Sequence, residues 1–191
     1  MIAARMTESD STENEPIVIA DYSPEWPRLF AAELSRLGDL LPGASIEHVG
    51  STAVPGLSAK PVIDMLVGLD SLSQIMEVIP ALDRIGFEYV PELESFFPER
   101  RYFRRLVAGR RTHQIHAVEE GCPFWTRTLA FRDALRVDPA LARAYADLKQ
   151  DLAARHRMDR LAYTDGKTEF VEGVLASVGH SAGVLPHLRE P

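Results

Sequence analysis

Cysteine is nearly absent from this chain: Cys122 is the single one in 191 residues. No internal disulfide can form, so nothing in the sequence asks for an oxidising compartment. No stretch approaches the roughly 18 apolar residues that a membrane-spanning helix needs. The opening residues, MIAARMTESDSTENEP, hold one early arginine and no apolar run, which does not read as a secretory signal. A cytoplasmic location away from membranes is the expectation. Positive charge is in the minority, with 21 basic residues against 28 acidic ones and a net charge of −7. A field of that sign disfavours non-specific binding of a nucleic-acid polymer, whose phosphates want a basic footprint. It leaves room for a local basic patch that holds one nucleotide. Internal repeats and low-complexity tracts are absent too.

What remains is an ordinary globular composition, 46% hydrophobic and 26% charged, at a length that suits one domain with a real core. Residues 1–15 and 180–191 are polar and read as tails around a domain spanning 16–179. PIVIADY (16–22) reads as a strand. Ser23-Pro24 then signals a helix start. Trp26, Leu29, Phe30, Leu34, Leu37 and Leu41 follow at three- and four-residue steps, the mark of an amphipathic helix, which Pro42-Gly43 ends. A short strand, IEHV, leads to Gly50-Ser51. After a turn-rich stretch comes PVIDMLVGL, an apolar, β-branched run that reads as a strand covered on both faces. Ser71 and Gln74 suggest a capping box opening a helix. GFEYVP is a further strand, and RYFRRLVA and RTHQIHAVE form a hairpin around Gly109. Helices are expected over 123–136, after Asp138-Pro139, and from about 166. The fold class is therefore α+β (mixed α/β): a mixed sheet of four to five strands, flanking helices and a helical C-terminal part.

Chemistry concentrates in residues 46–69, IEHVGSTAVPGLSAKPVIDMLVGL. Glycine lets backbone approach a bulky anion closely, and the Ser51 hydroxyl and amide can meet phosphate oxygens. Asp64 stands alone in an apolar strand, which is costly unless it is paired, hydrogen-bonded or bound to a metal. A carboxylate facing that bend can hold Mg²⁺ against a triphosphate. The string EHVGSTAVPGLSAKPVIDMLVGL closely resembles the central motif of the GrpB (UPF0157-type) family, a branch of the polymerase-beta-like nucleotidyltransferases. YSPEWPRLF (22–30), FRDALRVDPALARAYADLK (131–149) and YTDGKTEFV (163–171) are similar to that family as well. The resemblance implies a nucleotidyltransferase fold, phosphate contacts from Gly50 and Ser51, and Asp64 as the first metal carboxylate. It departs where active superfamily members carry a second acid two positions on: here that residue is Leu66, and Asp70 lies too far along the strand to replace it.

Substitutes for the missing ligand are Glu47 and His48, on the strand before Gly50, and His113 or His116, which lie on opposite faces of a regular strand. His116 is favoured as metal ligand or general base, and Glu47 as metal ligand or proton acceptor. Lys60 can meet phosphate or pair with Asp64. Arg132 and Arg136, four apart on one helix, can grip phosphates, and Lys167 sits at the start of the last helix. Arg104 or Arg105 of the basic RRYFRR run can reach across the strand. The expected function is Mg²⁺-dependent transfer of a nucleoside monophosphate from an NTP to a small-molecule acceptor, by a monomer or homodimer. The alternative, which Leu66 favours, is a catalytically degenerate module that binds a nucleotide or small anion, in the accessory role that the family's fusion to dephospho-CoA kinase implies. Cys122, ahead of a helix, reads as an idle thiol.

Overall fold

The computed structural model describes residues 16–180. The tails expected at 1–15 and, but for His180, at 180–191 lie outside them. Five strands form one open mixed sheet: β1 (Ser45–Val49), β2 (Ile63–Leu69), β3 (Glu88–Tyr89), β4 (Arg100–Val107) and β5 (Arg110–Glu119). Their order across the sheet is β1-β2-β5-β4-β3. Only β2 and β5 run parallel; the other neighbours are antiparallel. The β4–β5 hairpin closes at Ala108 and Gly109, both in the left-handed region, as a tight two-residue turn requires.

Period-two alternation gives the sheet two distinct faces. Ile63, Met65, Val67, Leu69, Ile115, Ala117 and Phe103 point to one. Helices α1 (Glu25–Leu40), α2 (Ser73–Glu77) and α3 (Ile79–Arg84) cover it with Trp26, Leu37, Ile75 and Leu82. The other face carries Val49, Leu66 and Val118 under Phe124 and Trp125 of α4 (Pro123–Val137). Helices α5 (Pro139–Arg155), α6 (Arg160–Asp165) and α7 (Thr168–Ser177) complete a helical lobe beside α4. Tyr145, Leu135, Val171 and Leu175 form its core with Val54 and Leu57 from the loop before β2.

Local signals account for most of these boundaries. Ser23 Oγ accepts from the Glu25 amide at the start of α1. Asp138 accepts from the amides of Ala140 and Leu141, with Pro139 at the first helical position of α5. Gln74 reaches back to the Ser71 amide, the reciprocal half of a capping box. Cys122 is the N-cap of α4, its Sγ accepting from the Trp125 amide, so the thiol has a structural use. β2 is covered on both faces, with Asp64 its only partly exposed residue.

Three expectations need correction. Residues 16–22 form no strand: Ala20 makes an isolated bridge with Ala59, and the Ile17 amide donates to the Arg157 carbonyl, so the segment straps the helical lobe to the loop before β2. In α1, Leu29 and Leu34 are exposed, whereas Glu33 is buried. The helix is rotated because Glu33 pairs with Arg105 on the sheet beneath it, at 2.7 and 2.9 Å. Helix α6, ahead of α7, was not anticipated; Asp159 caps it through the Ala162 amide.

Candidate functional site

Gly50 sits where β1 ends, with φ 69° and ψ −172°, a conformation that side-chain-bearing residues avoid. A Cβ placed there would overlap Asp64 Oδ2. Bend and carboxylate therefore lie against each other, as the spacing of the motif suggested. Ser51 to Ala53 form one 3-10 turn. Arg136 holds that turn by donating through Nε and Nη2 to the Ala53 carbonyl, at 3.0 and 2.9 Å.

Asp64 pairs in register with Gln114 on β5, and Gln114 Nε2 donates to Asp64 Oδ1 at 2.7 Å. The Gln114 oxygen in turn accepts from Tyr102 Oη and, at 3.2 Å, from Arg111 Nη1. Leu66 pairs with His116 two positions on. It is fully buried beneath α4, so the place of a second acid is filled by hydrocarbon.

Above this face, where the sheet meets the helical lobe, a cavity of about 150 Å³ is lined by Gly50, Ser51, Asp64, Gln114 and His116 and by α4, α5 and α6. Its basic residues are Lys60, Arg111, Arg132, Lys149, Arg160 and Lys167, and among the described residues Asp64 is the only carboxylate on its wall. Lys149 was not anticipated. It is 2% exposed, and its Nζ donates to Ser51 Oγ at 2.9 Å and to the Ser58 carbonyl. Burial, reinforced by Lys167, lowers its pKa to about 7. The sequence held a signal: Lys149 lies four residues after Tyr145 and three before Leu152, inside the apolar stripe of α5. Lys60 is likewise lowered to about 7, by burial first and then by Lys167, Arg160 and Arg111, against a smaller opposing pull from Asp64. The ammonium groups of Lys60 and Lys167 lie 5.2 and 4.7 Å from the Tyr163 ring centroid.

The histidines separate by face. His113 turns toward Phe87 on the α1 side, whereas His116 lines the cavity. Arg100 Nη1 lies 3.1 Å from His116 Nδ1. A guanidinium only donates, so Nδ1 accepts and the neutral ring carries its proton on Nε2. Burial, then Arg100 and Arg111, hold its pKa well below the usual histidine value. While that contact holds, His116 offers a donor rather than a lone pair. His48 stacks on Phe30 and contacts Thr52 Oγ1 at 3.0 Å. Because that hydroxyl donates to the Val62 carbonyl, His48 Nε2 is the donor. Burial lowers the His48 pKa to about 4.

Glu47 shares a sheet face with Leu66 but is not on the cavity wall. It receives Arg132 Nη1 at 2.6 Å, and the same nitrogen donates to the His48 carbonyl. Arg132 also grips Asp133, so it ties α4 to β1 while one flank lines the cavity. Arg104 and Arg105 do not reach it; they pair with Glu88 and Glu33. Among the described residues no group of three or more His, Cys, Asp and Glu side chains is arranged to hold a metal ion. One carboxylate among six basic side chains, counted over the described residues of the wall, does not fit a resident divalent cation, which wants several oxygen ligands.

These features define a class: an α+β protein with a cationic cavity between an open mixed sheet and a helical lobe. The chain belongs to the GrpB family, whose model, described as GrpB protein, matches residues 16–177. It is 38% identical to the UPF0157 protein PA4798 of Pseudomonas aeruginosa over 170 residues, 86% of this chain and 69% of that protein. It is also 38% identical to the UPF0157 protein YqkA of Bacillus subtilis over 154 residues, 79% of this chain but only 44% of YqkA. The chain thus spans less than half the length of that relative. The crystal structure of the conserved protein GrpB from Enterococcus faecalis superposes with a TM-score of 0.76 at 34% identity, covering 84% of this chain and 96% of that one. A Cid1 poly(U) polymerase chain also matches, at 15% identity and a TM-score of 0.42 over 78% of this chain and 48% of its own, too remote to bear on function. No helix among the described residues is long and apolar enough to cross a membrane.

Proposed function

We propose that the cavity binds the phosphates of a nucleoside polyphosphate and meets their charge with lysine and arginine rather than with a resident metal. One observation carries this reading: among the described residues, six basic side chains and a single carboxylate line the cavity. Ser51 and Lys149 form its phosphate end. A buried amine whose own contacts are a hydroxyl, a carbonyl and the Tyr145 ring gains most from an arriving anion, because charge-assisted bonds are strongest in a dry site. The nucleotide, as opposed to another phosphorylated anion, comes from the family resemblance of the Gly50-Ser51 and Asp64 motif.

A second reading is Mg²⁺-dependent transfer of a nucleoside monophosphate to a small acceptor. Asp64 favours it, since its carboxylate lies against the Gly50 bend, where a metal arriving with the nucleotide would be met. Titration calorimetry with ATP, GTP, CTP and UTP, each with Mg²⁺ and with EDTA, separates the two. The charge reading expects binding that survives EDTA and is unchanged or tighter in Asp64→Asn. Lys149→Met weakens it about tenfold or more, the loss of one charge-assisted bond of about 1.5–3 kcal/mol. Binding that needs Mg²⁺ and is lost in Asp64→Asn selects transfer instead. No binding of any of the four nucleotides sinks both.

A further inference from the structure

Ser51 follows the Gly50 bend, is half-buried and lines the cavity. Its Oγ receives Lys149 Nζ at 2.9 Å, and the Tyr145 hydroxyl is hydrogen-bonded to it as well. Lys149 and Tyr145 lie one helical turn apart on α5, and both are buried. The Lys149 Nζ sits 4.8 Å from the Tyr145 ring centroid. A serine on a 3-10 turn is thus gripped by two side chains of a helix that begins far along the chain. The turn itself is fixed by α4, through the bonds from Arg136 to the Ala53 carbonyl. Thr52, the next residue, is different. It is buried, and its hydroxyl donates to the Val62 carbonyl. The Ser51 oxygen instead meets an amine on the wall of a cavity, the pairing that turns a hydroxyl into a nucleophile.

We infer that Ser51 is a phosphoryl acceptor: it takes the terminal phosphoryl group of a nucleoside triphosphate bound in the cavity, and Lys149 takes its proton. The inference rests on the nucleotide reading above, which sets the phosphates against Ser51 and Lys149. In the step, a lone pair of Ser51 Oγ attacks the γ-phosphorus. The bond from that phosphorus to the bridging oxygen breaks, and nucleoside diphosphate leaves with its electrons. The hydroxyl proton passes to Lys149 Nζ along the 2.9 Å contact. Transfer of this kind asks for positioning and charge neutralisation more than for other chemistry. The amine suits both parts, because burial and then Lys167, the charged neighbour ahead of α7, hold its pKa at about 7. As ammonium it holds the phosphate; as amine it accepts the proton. The product limits itself. Phosphoserine carries up to about two negative charges beside a Lys149 that is now an ammonium, so it fills the phosphate end and obstructs the next nucleotide.

The test incubates the full chain, first treated with phosphatase, with Mg²⁺ and with ATP, GTP, CTP and UTP radiolabelled at the γ-phosphate, and in parallel with acetyl phosphate. Intact mass and peptide sequencing locate the label, and calorimetry measures nucleotide binding on the same samples. The expected result is at most one phosphoryl group per chain, on Ser51, with nucleotide affinity about tenfold weaker once it is there. Ser51→Ala takes up none yet still binds nucleotide. Lys149→Arg keeps the charge but accepts no proton, so it retains binding and slows labelling about a hundredfold or more. Circular dichroism verifies that both variants fold. At saturating nucleotide the labelling rate of the natural chain rises from about pH 6 to about pH 9, as a base on Lys149 requires, and this profile carries the test should Lys149→Arg not fold. Binding without label, label on another residue, label retained in Ser51→Ala, an equal rate in Lys149→Arg or a rate that falls with pH overturns the inference and leaves the nucleotide reading standing. Acetyl phosphate that labels Ser51 in a chain that binds no nucleotide counts against the nucleotide reading and leaves the acceptor standing. Neither binding nor label from any donor overturns both.

Discussion

Lys149 has no carboxylate among its contacts, and that sets a pH dependence. Its amine titrates near 7 in the folded chain against about 10.4 when unfolded. Between those values the unfolded state binds a proton that the folded state lacks, so this group makes stability rise with pH across that window. An anion in the cavity restores the proton, so nucleotide affinity falls as pH rises through about 7. Calorimetry from about pH 6 to about pH 9 in buffers of different ionisation enthalpy will show that fall together with proton uptake on binding; a flat profile contradicts it. Gly50 gives a second prediction at this scale. Gly50→Ala forces a Cβ onto Asp64 Oδ2 at a positive φ, which costs about 1–3 kcal/mol of stability in chemical denaturation. It also displaces the carboxylate from the bend, so it weakens any Mg²⁺-dependent step beyond what the stability loss explains.

Among the elements, α1 is fastened to the sheet by one ion pair. Glu33 is 4% exposed and receives two bonds from Arg105, which also donates to the Ile85 carbonyl of the α3 end. Burial works to raise the Glu33 pKa, but the hydrogen bond and charge of Arg105, with His113 and Arg36 behind them, outweigh it and leave the value lowered. Its stabilising contribution is present above the ordinary glutamate pKa of about 4.3 and is lost as pH falls through the lowered folded value. Removing the carboxylate leaves Arg105 uncompensated over the Phe87 ring. Glu33→Ala is therefore expected to cost about 3–5 kcal/mol, measured as a shift in the urea midpoint at constant slope. A loss below about 1 kcal/mol would mean that the pair is solvated and does not anchor the helix.

For the molecule as a whole, the cavity joins two structural units, the sheet and the helical lobe, through the Ser51–Lys149 and Arg132–Glu47 contacts. A ligand that bridges them stabilises both together. At a hundredfold excess over its dissociation constant a nucleotide should add about 2.7 kcal/mol, or about 5–10 °C in Tm for a chain of this size. EDTA alone should leave Tm unchanged, because the donor set does not suit a resident metal. A drop in Tm on chelation, reversed by Mg²⁺, would show that the fold holds a metal after all.

The sequence by itself determined the α+β class, the covered strand β2, the hairpin, the cap signals at Ser23, Ser71 and Asp138, and the apposition of the Gly50 bend and Asp64; it did not mark Cys122 or Asp159 as caps. Each feature so determined depends on local periodicity, turn chemistry or a short spacing within one motif. Opposite facing of His113 and His116 followed from strand alternation. What only the tertiary structure decided is which charges converge. Lys149 lies 98 residues from Ser51 along the chain, Arg132 closes on Glu47 across 85, and Arg105 claims Glu33 across 72. Burial strips water from these groups, so each must find a partner in space, and sequence distance carries no record of which one it will be.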